Sequence, residues 1–567
     1  MFRVFNITAL FMWAAVFIFT AARKPLMRDA FLYSSYYIIF ALTVSWAYSL
    51  VMLWREKSPR PPQFFRTHWR GLAFSFVLAS IVFVSVPKQL RVLNDETNLL
   101  SVGKSMMSNR NVHNIMEGQR AYGRFWPLEP ALLEKRPLLF PFFVSLAHTV
   151  SGYRVENVFA FNYFVLWAVL FLLYWLVRPG IGEAGAAAGL LLVMSQPIMS
   201  WCATSGGFEL FNFLFILISF ILLRSFLRAP GGAVFLALVL SLAMLGNIRY
   251  ESPVFFVVTM VILAAAGYVR REYLPRPPVY VLTPFFFLPW LWQRALMLTE
   301  KNYDFPGRTW LQELQLENAS RNSPAFFKYV LGLNGELGYA GLVNCAGILA
   351  AVYFAVLFFK NLRRRPVARP DAVLWATVSL CLLIVFAGAL SFCHSIAVHP
   401  FNGRYYMALL VILSVLPVFV LVQIFRRKGW PAAILLTGAL ALFLYYHGAA
   451  VEDRWTNSLY ATRELRFITD FLKKNADENT LVICDRPGQL IVHGYGAEFP
   501  GTANKDVLDN LRAYKSHMFS SIYVIQPVGR SPWPSQALDR AYQLEPIVET
   551  RISDEYSLRI SKVKISD

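Results

Sequence analysis

Apolar stretches close to the length of a bilayer crossing recur along this chain from its start to about residue 447. A helix needs about 20 apolar residues to cross the hydrocarbon core. Runs near 5–21, 31–54, 71–87, 157–177, 184–200, 208–226, 233–247, 252–268, 279–296, 341–360, 371–390, 404–425 and 431–447 approach or reach that length. Lipid offers the backbone no hydrogen-bond partners, so such runs must be helices. Composition agrees: the 567 residues are 56% hydrophobic and only 16% charged, against about 25% charged for a soluble domain. The sequence therefore predicts an α-helical polytopic membrane protein with about thirteen transmembrane helices and a small C-terminal α/β extracytoplasmic domain. Met1–Thr20 reads as the first membrane helix, because the Ala21-Ala22 that ends it is followed by Arg-Lys-Pro and not by a mature domain.

The 54 Lys and Arg against 34 Asp and Glu give a net charge of +20. In a soluble chain that balance would suggest nucleic acid. Here the cations sit mostly in short loops, where they set topology. Arg55, Lys57, Arg60, Arg66 and Arg70 outweigh Glu56 and place their loop, and with it the N-terminus, in the cytoplasm. Arg23, Lys24 and Arg28 then fall outside, against the rule. The apolar piece Leu138–Val150 is short for a span and reads as a helix in the outer interface. With that choice the turns at Arg178, Arg224 and Arg270, and the clusters Arg363–Arg365 and Arg426–Lys428, all fall inside. Outer loops are expected at about 88–156 and 297–340, and the tail from Glu452 is expected outside.

That tail differs in kind. Residues 459–475 and 504–515 have helical periodicity, while 480–484, 489–495 and 520–526 read as strands and 545–553 with 556–564 as a closing hairpin. It contains no glycine-rich phosphate loop and no nucleophile motif, and DRPGQL near Asp485 reads as a turn. The expected division is 1–70 for two N-terminal helices and a basic loop, 71–451 for a transmembrane catalytic domain, and 452–567 for a soluble domain. The five cysteines show no CxxC or other metal spacing, so no disulfide framework is implied.

Asp95 and Glu96 follow the run Gly71–Val86, where a membrane helix opens into water. Charge near hydrocarbon is costly and is often kept for function, although the pair could simply mark a solvated helix end. The same topology collects further charged residues on the outer face. Glu134, Lys135 and Arg136 close the first long loop, Glu209 starts a span, and Arg249 and Glu251 sit between two spans. Arg294 ends a span, and His394, His399 and Arg404 lie in the last outer loop. Each alone reads equally as a cap, a snorkelling side chain or an intramembrane ion pair, Glu209 with Arg249 among the latter. Together they describe a carboxylate base and several fixed cations, which suits chemistry at a lipid-linked phosphate.

These motifs, in this order, resemble the GT-C fold glycosyltransferases, in particular the bacterial relatives of protein O-mannosyltransferases and of the lipid A aminoarabinose transferase. The resemblance rests on the Asp-Glu pair with the NLLSVGKSMM that follows it, EKRPLLFPFFVSLAHTVSGY, TSGGFELFNFLF, NIRYE and RYYMALLVILSVL, and on a closing soluble domain. It covers about 71–567. It implies a GT-C-like fold and an inverting transferase that takes a sugar from a polyprenyl-phosphate donor to a glycolipid or protein acceptor, at the outer face of a bacterial inner membrane. Asp95 would be the catalytic base and Glu96 its helper. Lys135, Arg249 and Arg404 would meet the donor phosphate, with Arg136 a rival to Lys135 because it interrupts the family's Glu-Lys-Pro. Glu134, Glu209 and Glu251 would support them. Some members of that family bind a divalent metal and others do not; His399 and Glu134 could serve as ligands. Membrane lipid is the expected surroundings, and no nucleic acid is expected. Two other readings stay open: a flippase of a lipid-linked glycan, and a non-catalytic relative that binds one.

Overall fold

A computed structural model describes the chain apart from residues 1–13, 58–60, 123, 129–132, 275–276, 300–314, 334–339, 363–369, 393–399, 429–431, 530–537, 539–541 and 565–567. It divides into two compact units. The first comprises 1–88, 135–140 and 159–453, and the second 89–134, 141–158 and 454–567.

The first unit is helical. Among the described residues, seven helices are long and apolar enough to cross a membrane, and shorter apolar helices accompany them. The expected number was about thirteen, and the difference has identifiable sources. The runs at 157–177 and 184–200 form one helical stretch, Glu156–Met194, broken at Gly182. Gly182 has φ 76° and ψ 179°, a backbone open essentially to glycine alone. Gly232–Gly246 and Pro253–Val269 have 15 and 17 residues, below the usual crossing length. The first expected span lies partly outside the described residues.

Large apolar side chains face outward along single helices: Tyr37, Phe40, Val44, Tyr48 and Val51 on Ser35–Lys57, and Leu380, Leu383 and Ile384 on Pro370–Ser391. Continuous apolar stripes of this kind mark a lipid-facing surface. Polar contacts join some of the helices within the apolar packing. Buried Gln196 donates to Asn344 Oδ1 at 2.7 Å and Ser414 Oγ at 3.0 Å, and Trp46 Nε1 donates to Ser241 Oγ at 2.8 Å. In hydrocarbon such bonds supply cohesion that apolar contact alone does not.

The second unit is built on a seven-stranded sheet: β1 Gly118–Ala121, β2 Arg124–Pro127, β3 Thr480–Ile483, β4 Gly496–Glu498, β5 Ser521–Val528, β6 Gln543–Arg551 and β7 Ser557–Lys564, in the order β2-β1-β4-β3-β5-β7-β6. β3 runs parallel to β4 and β5, and the other pairs are antiparallel. Central β3 is buried at every position, its apolar Leu481–Ile483 following a hydrogen-bonded Thr480, while edge strand β6 is largely exposed. Leu481, Ile483, Phe519, Ile522, Val524 and Val563 form its core.

The expected helices at 459–475 and 504–515 are present as Tyr460–Asn475 and as Pro500–Lys505 followed by Val507–Lys515, and the closing hairpin is β6–β7. The expected strand over 489–495 is not formed. Pro487–Ile491 is a short helix, and the strand starts only at Gly496. Pro487 at the first helical position and Gly494 at φ 95° set those boundaries.

Candidate functional site

In the second unit, helix Leu93–Asn109 carries both members of the acidic pair in its first turn. Asp95 is half-buried and Glu96 fully buried. Glu96 bends back to accept from the Arg91 N–H at 2.9 Å and the Val92 N–H at 3.3 Å, so its carboxylate holds the chain just before the helix. Buried Glu134 accepts from Asn114 Nδ2 at 3.4 Å.

In the first unit the remaining expected residues come together. Glu209 opens helix Glu209–Arg228, Arg249 and Glu251 lie in the turn before Pro253–Val269, and Arg404 lies in the 3-10 turn Pro400–Tyr406 that leads into Met407–Lys428. Arg249 pairs with Glu251 at 2.7 Å and Arg404 with Glu209 at 3.4 Å. Three of these side chains are under 10% exposed and Glu251 is 27% exposed. Tyr405 stands between the pairs, its ring 5.4 Å from the Arg249 guanidinium and 5.1 Å from that of Arg404. Burial opposes the charge on Arg249, but Glu251, then Tyr250 and Glu209, more than offset it and raise its pKa.

A shell of polar contacts fixes this cluster. Ser252 donates to Asn212 Oδ1 at 2.7 Å, joining the turn to the Glu209 helix. Asn162 Nδ2 donates to the carbonyls of Ser205 and Gly207 and pins the loop before Glu209. Lys135 and Arg136 are drawn to the same end. Leu139 N–H bonds the Asn247 carbonyl at 2.9 Å, Gln293 donates to the Arg136 carbonyl at 2.7 Å, and Arg294 donates to the Lys135 carbonyl. The Arg294 guanidinium also lies 5.8 Å from the Tyr250 ring. A Cβ at Gly207 would meet the Glu209 carboxylate and displace it.

The cluster sits at one end of its helices and the basic turns at the other. Asn162 and Arg178 lie on one helix, 16 residues or about 24 Å apart. Arg178 and Arg70 both pair with Glu183, at 3.2 Å and 3.0 Å. Arg70 and Arg178, expected in a loop and a turn on the same membrane face, lie instead within helices Pro61–Ser85 and Glu156–Met194, and meet there.

His394 and His399 lie outside the described residues. Among the described residues no three His, Cys, Asp or Glu side chains gather as metal ligands. Sequence reasoning missed Asn162, Ser252, Gln293 and Tyr405. Only Tyr405, adjacent to Arg404, and the Gly206-Gly207 pair before Glu209 gave a local signal.

Two histidines of the second unit are held neutral. Burial, then the charge of Lys104, brings His148 down to about 4, with Asn157 Nδ2 2.9 Å from its Nδ1. Burial, then Lys473, brings His493 to about 4, with Glu156 acting the other way. A histidine whose folded pKa lies below its unfolded 6.5 adds stability above pH 6.5 and loses it as pH falls toward 4, because the unfolded chain then takes up the proton. Between pH 7 and pH 5, His493 alone should account for about 2 kcal/mol of lost stability. Thermal unfolding at the two pH values, followed by tryptic protection of the 454–564 region, should show the drop. His493→Gln should reduce it.

No protein-family model matches the chain, and no curated protein matches it. Solved structures do. ArnT from Cupriavidus metallidurans, bound to undecaprenyl phosphate, is similar at 12% identity and TM-score 0.52, over 86% of this chain and 97% of that one. The apo state of the same protein gives 14% and 0.44, over 88% and 98%. The Archaeoglobus fulgidus oligosaccharyltransferase tethered with an acceptor peptide gives 11% and 0.39, over 82% and 70%. At such identities it is the path of the chain that is shared. This protein is a multi-span membrane protein with the GT-C fold of integral-membrane glycosyltransferases.

Proposed function

We propose that the chain transfers a sugar from a polyprenyl-phosphate donor to an acceptor at the outer face of a bacterial inner membrane, with inversion at the anomeric carbon. The observation that carries this reading is the buried cluster of Glu209, Arg249, Glu251 and Arg404, gathered from separate helix ends with Lys135 and Arg136 bound nearby. Undecaprenyl phosphate in the ArnT structure fits a donor of that class. In the proposed reaction the acceptor oxygen forms the new bond to the anomeric carbon as the bond to the donor phosphate breaks. Asp95 takes the acceptor's proton. The guanidinium groups of Arg249 and Arg404 neutralise the departing polyprenyl phosphate through paired hydrogen bonds. Product formation from undecaprenyl-phosphate sugars by purified protein in proteoliposomes tests the reading. Turnover of none of a panel of such donors by well-folded protein would overturn it.

This reading requires the N-terminus inside and the tail outside. The shared end of Arg70, Arg178 and Glu183, opposite the cluster, supports it. Alkaline phosphatase fused after Asp567 should be active. A silent phosphatase with a fluorescent cytoplasmic reporter at the same position would reverse the orientation.

A further inference from the structure

A polar cavity lies wholly within the second unit. It encloses about 650 Å³ between helix Leu93–Asn109, strands β1 and β2, the turn at Tyr153 and the loop at His493. That volume falls in the range of about 300–1,000 Å³ typical of small-molecule sites. Its lining is strongly one-sided: Lys104, Arg120, Arg124, Arg154 and Lys473 face it, with Glu156 the one carboxylate among the lining residues. Arg120 is paired with Glu478 at 3.1 Å. Arg124, Arg154 and Lys473 make no ion pair among the described residues. Cations concentrated in a concave surface repel one another and focus a field that attracts anions.

Lys104 is fixed at the base. Its ammonium donates to the Ile491 carbonyl at 3.0 Å and stands 4.3 Å from the Phe125 ring and 4.9 Å from the Tyr153 ring. Tyr153 is locked by its own hydroxyl, which donates to the Val492 carbonyl at 2.7 Å. Tyr495 adds a third aromatic wall. Fixed cations beside aromatic faces suit a ligand with an anionic group and a sugar ring, since the ring's C–H face packs on an aromatic while phosphate or carboxylate takes the guanidinium groups. Burial and Arg120 together lower Lys104 to about 8, so a bound anion would stabilise its charged form.

Within the second unit, this cavity stands apart from Asp95, the proposed base. Asp95 and Lys104 share a helix but lie nine residues apart, two and a half turns or about 14 Å along it and on opposite sides. We propose that the cavity is an acceptor subsite for an anionic saccharide, one or two rings carrying phosphate or carboxylate, which holds the part of a longer acceptor remote from the reacting hydroxyl. The inference rests on the transferase reading and names the acceptor's class. Binding energy gained at such a distance can position the reacting end.

Titration calorimetry on full-length protein in nanodiscs tests it, with maltose 1-phosphate, a glucuronate-terminated disaccharide, maltose and inorganic phosphate as probes. At least one anionic disaccharide should bind saturably, 10-fold or more tighter than either maltose or phosphate. The double variant Arg124→Gln/Arg154→Gln should weaken that binding at least 10-fold. Both residues are exposed, so the fold should survive, and unchanged undecaprenyl phosphate binding checks this. Tyr495→Ala should weaken the anionic disaccharide but not phosphate. The subsite is overturned if neither anionic disaccharide binds at millimolar concentration, if the double variant binds as well as the parent, or if phosphate alone binds equally tightly. Donor binding and sugar transfer are read separately. Loss of the subsite therefore leaves the transferase reading standing, and saccharide binding without any transfer would sink that reading alone.

Discussion

Asp95→Asn should lower sugar transfer about 10²–10⁴-fold, the usual cost of losing a positioned general base. The substitution keeps the size of the side chain and much of its hydrogen bonding but removes proton acceptance. Asp95 occupies the third residue of helix Leu93–Asn109 and is only half-buried, so folding should be spared. Glu96→Gln makes the informative contrast. Its carboxylate accepts two backbone N–H groups, and the amide can keep only part of that arrangement. It should cost about 1–2 kcal/mol of stability with a smaller effect on rate than Asp95→Asn. Turnover by proteoliposomes, with thermal unfolding as the control, separates the two. An Asp95→Asn protein that transfers sugar at the parental rate would remove Asp95 from the mechanism. A parent protein that moves lipid-linked glycan across vesicles and never transfers sugar would point to a flippase.

Glu209→Gln should destabilise the first unit by about 3–5 kcal/mol, the cost of stripping one partner from a buried ion pair. The Arg404 guanidinium is 8% exposed and would lose the carboxylate 3.4 Å away. A structural pair and a donor-binding pair make the same prediction for that single variant. The double variant Glu209→Gln/Arg404→Met tells them apart, since a buried pair replaced as a whole is often nearly neutral for stability. The double variant should therefore recover most of the melting temperature while undecaprenyl phosphate binding stays at least 10-fold weaker. Arg404→Lys and Arg249→Lys keep the charge and lose the planar fork, so each should weaken donor use more than stability. If the double variant and both lysine variants bind donor as the parent does, the four residues are a structural lock.

Membrane insertion and the shared end of Arg70 and Arg178 were legible because each is written locally, whereas the GT-C fold was read from a resemblance in the order of motifs along the chain. Apolar run length sets what can cross, and cations near helix ends set which ends share a face. The residues of the cluster were legible one by one as costly charges at helix ends, but not as pairs. Glu209 had Arg249 as its expected partner, and the fold instead gives it Arg404, from far along the chain. Helix packing determines such a choice, and no periodicity records it.

The strand expected at 489–495 failed for a related reason. Its apolar run fits a short buried helix as well as a strand, and the Pro487 start with the left-handed Gly494 decides between them. Only tertiary structure adds β1 and β2, from residues near 120, to the sheet of a tail that begins more than 300 residues later. That junction is held by polar groups distant in sequence. Buried Glu498 accepts from Gln119 and, at 3.1 Å, from Asn510. The same assembly creates the cationic cavity, whose lysines and arginines come from both stretches. By itself the sequence determined that this chain lies in a membrane, and which charged residues stand at the ends of its apolar runs, because hydrophobicity and charge act over a few residues. Which of those charges meet, and where a pocket opens, was decided by packing between segments far apart in the chain, since only packing brings their side chains within reach.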